Sequence, residues 1–177
     1  MKATGVVRRI DELGRIVIPK EIRKTLRIKD GESLEIYVNE DSEIVLKKYS
    51  VLNKIDDFAQ DFVDSIYSFL KHNIIVTDTD SVLAVAGNLK KEYLNKEISS
   101  NLEHSIKRRE CMLETHMKDL KLMEDKNIEC TYAISTIVVN GDTVGAVIIL
   151  STDEKVSEAD EKIVKIASQF LSKYLEE

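Results

Sequence analysis

The sequence predicts an α+β protein in two parts: a small β-rich head, then a larger mixed domain in which helices flank an antiparallel sheet. Three observations carry this prediction. Short β-branched runs alternate with turn residues through the first fifty positions. Asn140-Gly141-Asp142 separates two apolar runs, 132–139 and 143–150, which reads as a hairpin. Apolar residues recur every three or four positions over 51–70 and again over 163–174, the spacing of amphipathic helices. The expected boundaries are residues 1–50 for the head, 51–55 for a linker or helix start, and 56–177 for the second domain.

In the head, Val6, Arg8 and Ile10 alternate with Val7 and Arg9, so 5–10 reads as a strand. Asp11-Glu-Leu-Gly14 makes a turn, with Gly14 available for a positive φ. Arg15-Ile-Val-Ile18 reads as a second strand, and Pro19 opens a two-turn helix whose apolar stripe is Ile22 and Leu26. Asp30-Gly31 turns into a third strand, where Leu34, Ile36 and Val38 alternate with Glu35 and Tyr37. Residues 39–42 turn into a fourth strand over 43–47. Fifty residues in strands this short cannot bury a sufficient core alone. A second copy that pairs with the head or exchanges hairpins with it would close the sheet edges.

In the second domain, the stripe from Val51 to Leu70 is too broad for one neighbouring surface, so this helix is expected to pack its own domain on one side and another chain on the other. Asp56, Asp57, Asp61 and Asp64 read as its solvated acidic face. Residues 73–78 and 81–87 read as two strands joined by a tight turn at Thr79-Asp80. A helical stretch with Ile98, Leu102 and Ile106 follows, ending near Lys107-Arg-Arg109. Residues after it, including Cys111 and His116, read as a charged helix or loop. After the 132–150 hairpin, Ser157 with Asp160 caps a last helix carrying Ile163, Ile166, Ala167, Phe170 and Tyr174.

The net charge of −6 is unevenly spread. Residues 1–29 hold nine Lys/Arg against three Asp/Glu, a balance of +6, whereas 30–50 carry −4 and 51–177 carry −8. Concentrated positive charge is the footprint of a surface that meets nucleic-acid phosphate while the rest of the chain repels it. Arginines on short strands and at a helix add fork-shaped donors suited to phosphates and guanine edges. The competing assignment pairs Arg8 and Arg15 with Asp11 and Glu12 across the turn, as ordinary surface ion pairs.

The run Thr4-Gly-Val-Val-Arg-Arg-Ile-Asp-Glu-Leu-Gly-Arg-Ile-Val-Ile-Pro-Lys-Glu-Ile-Arg-Lys-Thr-Leu26, with Leu34-Glu-Ile-Tyr-Val38 and Ile44-Val-Leu-Lys-Lys-Tyr49, resembles the head of the AbrB-type transition-state regulators. That resemblance implies a swapped-hairpin β-barrel dimer that binds double-stranded DNA through Arg8, Arg9, Arg15, Arg23 and Lys24. Lys24 stands where relatives often have arginine, and an ammonium contacts phosphate as a point charge and not as a bidentate fork. The element order of the second domain, with the Val-Asn-Gly-Asp-Thr-Val-Gly-Ala turn, resembles a GAF-type sensory domain over roughly 53–175. This implies a pocket for a small-molecule ligand and terminal helices that join dimers into a homotetramer. Together the resemblances imply a forespore transcription regulator that acts as activator and repressor on A/T-rich promoters. The two-turn helix is too short to fill a major groove, which favours reading of DNA shape and deformability over a strict base code.

Other function classes fare less well. No nucleophile, base and orienting group converge and no Gly-rich phosphate loop occurs, so no enzyme and no cofactor are expected. His104, Cys111 and His116 lack metal-ligand spacing, so no metal site is expected either. Two cysteines cannot form a disulfide framework. With no apolar run of membrane-spanning length and no hydrophobic core behind Met1-Lys-Ala-Thr4, the expected location is the cytoplasm, with no membrane partner. An antitoxin-like interaction protein with a DNA-binding head is the alternative. Such proteins usually carry a disordered tail, and residues 51–177 are too apolar and too well patterned for one.

Overall fold

The computed structural model describes residues 5–40 and 42–176. Thr4 at the start of the head motif, Asp41 in the 39–42 turn, and the side chains of Asp56 and Asp57 on the acidic helix face lie outside the described residues. The chain divides into two compact units, Met1–Tyr49 and Ser50–Glu177.

In the first unit, α1 (Lys20–Thr25) follows Pro19, whose φ of −57° already suits a helix start. β1 (Leu34–Val38) and β2 (Ile44–Lys48) form an antiparallel hairpin in which Val38 faces Ile44 and Leu34 faces Lys48. Asn39 fixes its turn: the Asn39 amide donates to the Glu43 carbonyl at 3.1 Å, and the Glu43 amide donates to Asn39 Oδ1 at 2.8 Å. The expected strands over 5–10 and 15–18 do not pair as strands within one chain. Only the turn between them closes, through Gly14 N to Asp11 O at 3.0 Å and Asp11 N to Arg15 O at 3.1 Å. The physical reason is a missing edge, since strand geometry is held by a neighbour's backbone groups and β1–β2 is a separate two-stranded sheet. No described residue of this unit is buried, and Val7, Val17 and Val38 remain 86%, 72% and 73% exposed.

The second unit opens with a 3-10 turn at Val51–Ile55 and α2 (Asp56–Leu70), which closes on Lys71 in a left-handed cap. β3 (Asn73–Asp78) and β4 (Val82–Ala86) form a hairpin, then α3 (Lys90–Tyr93) and α4 (Ser100–Lys107) lead into β5 (Met112–Met123), β6 (Lys126–Val139), β7 (Asp142–Ser151) and α5 (Glu158–Glu176). All pairings are antiparallel, in the order β4-β3-β7-β6-β5. The stretch expected as helix or loop after Arg109 is therefore the edge strand β5. Its outer side meets water, so its residues are largely polar, and irregular pairing between Glu114 and Lys118 breaks the alternation that would have announced it.

Two apolar layers sandwich this sheet. Ala59 and Val63 of α2 and Val164, Ala167 and Leu171 of α5 bury one face together with Ile74, Val76, Ala133, Ile137 and Ile149. Tyr93 of α3 and Leu102 and Ile106 of α4 bury the other, against Ile75, Val85, Ile134 and Ile148. β3 lies between β4 and β7 with every residue buried. Gly145 permits this, because a Cβ there would stand 1.9 Å from the Thr77 carbonyl oxygen. The Ser157–Asp160 cap forms as expected, with Ser157 N donating to Asp160 Oδ2 at 2.8 Å and Asp160 N to Ser157 Oγ at 3.4 Å.

Candidate nucleic-acid interface

The five candidate cations of the head, Arg8, Arg9, Arg15, Arg23 and Lys24, stand on three pieces of backbone. Arg8 and Arg9 are exposed on the 5–10 segment, and among the described residues Arg8 donates to the neighbouring Val7 carbonyl, at 3.2 Å. Arg9 makes no hydrogen bond or ion pair among the described residues. Arg15 closes the turn, where Asp11 organises everything: Oδ1 accepts from Leu13 N at 3.0 Å and from Arg15 N at 2.8 Å, and Oδ2 accepts from Arg15 Nε at 2.8 Å. These bonds, the Arg15 backbone amide foremost, hold the Asp11 carboxyl below its ordinary pKa. The ion pair leaves the Arg15 side chain 72% exposed, with the remaining guanidinium nitrogens free of this carboxylate. Asp11 thus orients Arg15 without covering it.

Arg23 and Lys24 occupy the last turn of α1. Lys24 is exposed and unpaired among the described residues. Arg23 is half-buried and ion-paired to Asp30, itself 94% exposed. Of the ion pairs weighed from the sequence, Arg15–Asp11 forms, and Arg8 pairs with no carboxylate among the described residues. Asp30 was not foreseen as a partner for Arg23, because it lies seven residues away and its Asp-Gly dipeptide signals only a turn. The Asp11 N–Arg15 O bond gathers Arg8, Arg9 and Arg15 onto one excursion of the chain, while Arg23 and Lys24 stand on a separate element.

In the second unit the polar residues singled out in the sequence have structural partners. His104 is bonded to the Ser100 carbonyl, and His116 lies exposed beside Glu114 on β5. Lys107 pairs with Glu103, Arg108 with Glu110, and Arg109 donates to the Gly141 carbonyl. Cys130 lies within β6, fully buried, and burial pushes its thiol up to about 12. Among the described residues no group of three or more His, Cys, Asp or Glu could hold a metal ion, and no helix is long and apolar enough to cross a membrane.

A second surface belongs to α2 and α5. Phe58 stacks on Tyr174 with ring centroids 4.5 Å apart, and Phe62 stacks on Phe170 at 5.4 Å. The ladder is only half covered: Phe170 is 46% exposed, Tyr174 43% and the adjacent Ile166 66%.

Comparison with known proteins matches residues 54–176 to the family described as stage V sporulation protein T C-terminal, transcription factor. Residues 7–52 match antidote-toxin recognition MazE, bacterial antitoxin. The chain is 47% identical to stage V sporulation protein T of Bacillus subtilis (strain 168) over 181 aligned residues, covering all of both chains. Over 49 residues, 28% of this chain and 50% of the relative, it is 61% identical to the transition state regulatory protein AbrB of the same organism. The second unit shares its fold with the GAF domain of PixJ from Thermosynechococcus elongatus, with a TM-score of 0.56 at 14% identity, covering 73% of this chain and 89% of that one.

Proposed function

The chain belongs to the stage V sporulation protein T family of transcription factors, and from that premise we propose that it is a DNA-binding regulator of sporulation genes, active in the forespore as both activator and repressor. Residues 1–50 are the reader, 51–55 the linker or start of the helix, and 56–177 the regulatory and assembly domain. Arg8, Arg9, Arg15, Arg23 and Lys24 contact A/T-rich duplex DNA. Arg8, Arg9 and Lys24 position the head on phosphates, and Arg15 and Arg23, held by Asp11 and Asp30, supply oriented forks.

The observation that carries this reading is the state of the head in a single chain. Its apolar residues are exposed and its 5–10 and 15–18 segments lack a pairing edge. A second head supplies both, and doubling the head sets two copies of the basic stretch against one duplex. The half-covered aromatic ladder of α2 and α5 supports a second association, in which two such dimers join as a tetramer and gain avidity on DNA. A small ligand of the GAF-like domain would act by favouring one arrangement of the heads over another.

The antitoxin reading rests on the MazE match over 7–52. Against it, residues 50–177 form a sheet sandwiched by two apolar layers, which leaves little chain to wrap a toxin. The test is fluorescence anisotropy of the full chain on A/T-rich promoter DNA across a salt series. Binding that falls steeply with salt supports the regulator, and absence of binding at low salt overturns it.

A further inference from the structure

We propose that the groove between α5 and β6 is a binding site for a small oxyanionic metabolite that also carries a hydroxyl group, such as a hydroxycarboxylate or a phosphorylated polyol. The inference is independent of the DNA-binding reading, since every residue of the groove belongs to the second unit. The groove measures about 590 Å³, within the roughly 300–1,000 Å³ range of small-ligand sites. Lys165, Ser168, Ser172 and Lys173 of α5 line one side, with Ser135 of β6 and Cys111 opposite.

Charge gives the first half of the ligand's chemistry. Two ammonium groups line the groove and no carboxylate does. Lys165 is shared with Glu161 at 2.6 Å, whereas Lys173 makes no ion pair among the described residues. In a stretch that carries a net charge of −8 over 51–177, this is a local reversal of sign, and it favours an anion.

Hydrogen-bond direction gives the second half. Ser135 and Ser168 are 4% and 2% exposed, and their hydroxyls lie 2.8 Å apart. Ser168 Oγ donates to the Lys165 carbonyl at 3.0 Å, so its proton is committed and Ser135 is the donor in the pair. Ser172 Oγ donates to the Ser168 carbonyl at 2.8 Å and accepts from Val138 N at 3.1 Å. Each serine proton is therefore used, and what remains are acceptor lone pairs, with the Cys111 thiol 3.7 Å from Ser135 Oγ. The lysines supply donors for an oxyanion, and the serine oxygens, already bonded, keep lone pairs that a ligand hydroxyl can meet beside the Thr136 and Gln169 side chains that also line the groove. Beneath the groove the helix-on-sheet seam is apolar, formed by Ala133, Ile137, Ala167 and Leu171, and the bonds just described satisfy the buried hydroxyls within it.

The test uses the full chain and two probes, citrate and inorganic phosphate, titrated by calorimetry at constant ionic strength with chloride as the control. Cys111 is exposed and lines the groove, whereas Cys130 is buried, so alkylation by neutral iodoacetamide, followed by mass spectrometry, reports occupancy at Cys111. The expected result is binding of at least one probe, weakened about tenfold or more by Lys173→Gln as a charge-assisted contact is lost. The bound probe should also slow Cys111 alkylation severalfold, and the double variant Lys165→Gln/Lys173→Gln should abolish that protection. Both lysines are exposed, so these variants keep the fold. Absence of binding by both probes overturns the proposal. So does protection that persists undiminished in the double variant.

Discussion

Replacing Phe170 by alanine tests the two associations proposed for this chain. Phe170 stacks on Phe62 at 5.4 Å, Phe58 at 6.1 Å and Tyr174 at 6.2 Å, and it is 46% exposed. About half of the side chain is therefore covered within one subunit. Truncating a fully buried Phe costs roughly 3–5 kcal/mol, so about 2 kcal/mol should be lost from the unfolding free energy of each subunit. The uncovered half matters only when another subunit lies on it. At roughly 1.5–3 kcal/mol for complete burial, it contributes about 1 kcal/mol per chain, or about 4 kcal/mol over a tetramer. That weakens the dimer–dimer equilibrium about a thousandfold, since each 1.4 kcal/mol is a factor of about ten. Sedimentation equilibrium across a concentration series should show wild-type tetramers and Phe170→Ala dimers at equal loading. A variant that remains tetrameric at the same dissociation constant would refute the placement of the second interface on α2 and α5.

Further outcomes follow from particular contacts. Gly145→Ala drives a methyl group into the Thr77 carbonyl, and urea unfolding should show a loss of about 3 kcal/mol or more, with little change if the strands separate freely. Ser157→Ala removes the hydroxyl that caps α5 and should cost about 1 kcal/mol in the same assay. The Glu124 carboxylate is lowered to about 2 from an ordinary 4.5, first by Lys121 and then by Ser100. Because its folded pKa is depressed, its contribution is present above pH 4.5 and is lost as pH falls toward 2. The melting temperature of Glu124→Gln should accordingly depend less on pH across that window, and an unchanged profile would count against the Ser100–Glu124 contact. Lys24→Ala should reduce the slope of log affinity against log salt by about one unit, and an unaltered slope would remove Lys24 from the phosphate-contacting set.

Local signals wrote much of this fold legibly. Proline and a short apolar stripe placed α1, alternation placed β1 and β2, Asn-Gly-Asp placed the β6–β7 turn, and Ser157 with Asp160 placed the start of α5. Where the pattern failed, the missing information was non-local. The 5–10 and 15–18 segments alternate as strands do, yet pairing needs an edge that one chain does not offer. Edge strand β5 has a wet flank and an irregular register, so Glu114, His116 and Lys118 disguised it as a charged helix or loop. Charge concentrated in the first thirty residues and the resemblance of the head together drew attention to the cations of the candidate site. The carboxylates that orient two of them differ in legibility, since Asp11 lies four residues from Arg15 within one turn while Asp30 reaches Arg23 only after the chain doubles back.

DNA recognition by the head is tested most directly by the affinity of the full chain for A/T-rich duplex DNA, measured by fluorescence anisotropy at several salt concentrations for wild type and for Arg8→Ala, Arg15→Ala and Arg23→Ala. These side chains are exposed or half-buried and sit outside any buried core, so thermal unfolding should change little. Steep weakening of wild-type binding with salt is expected, with a loss of about 1–3 kcal/mol of binding free energy for each variant that removes an oriented arginine. Affinity equal to wild type in all three variants would contradict it.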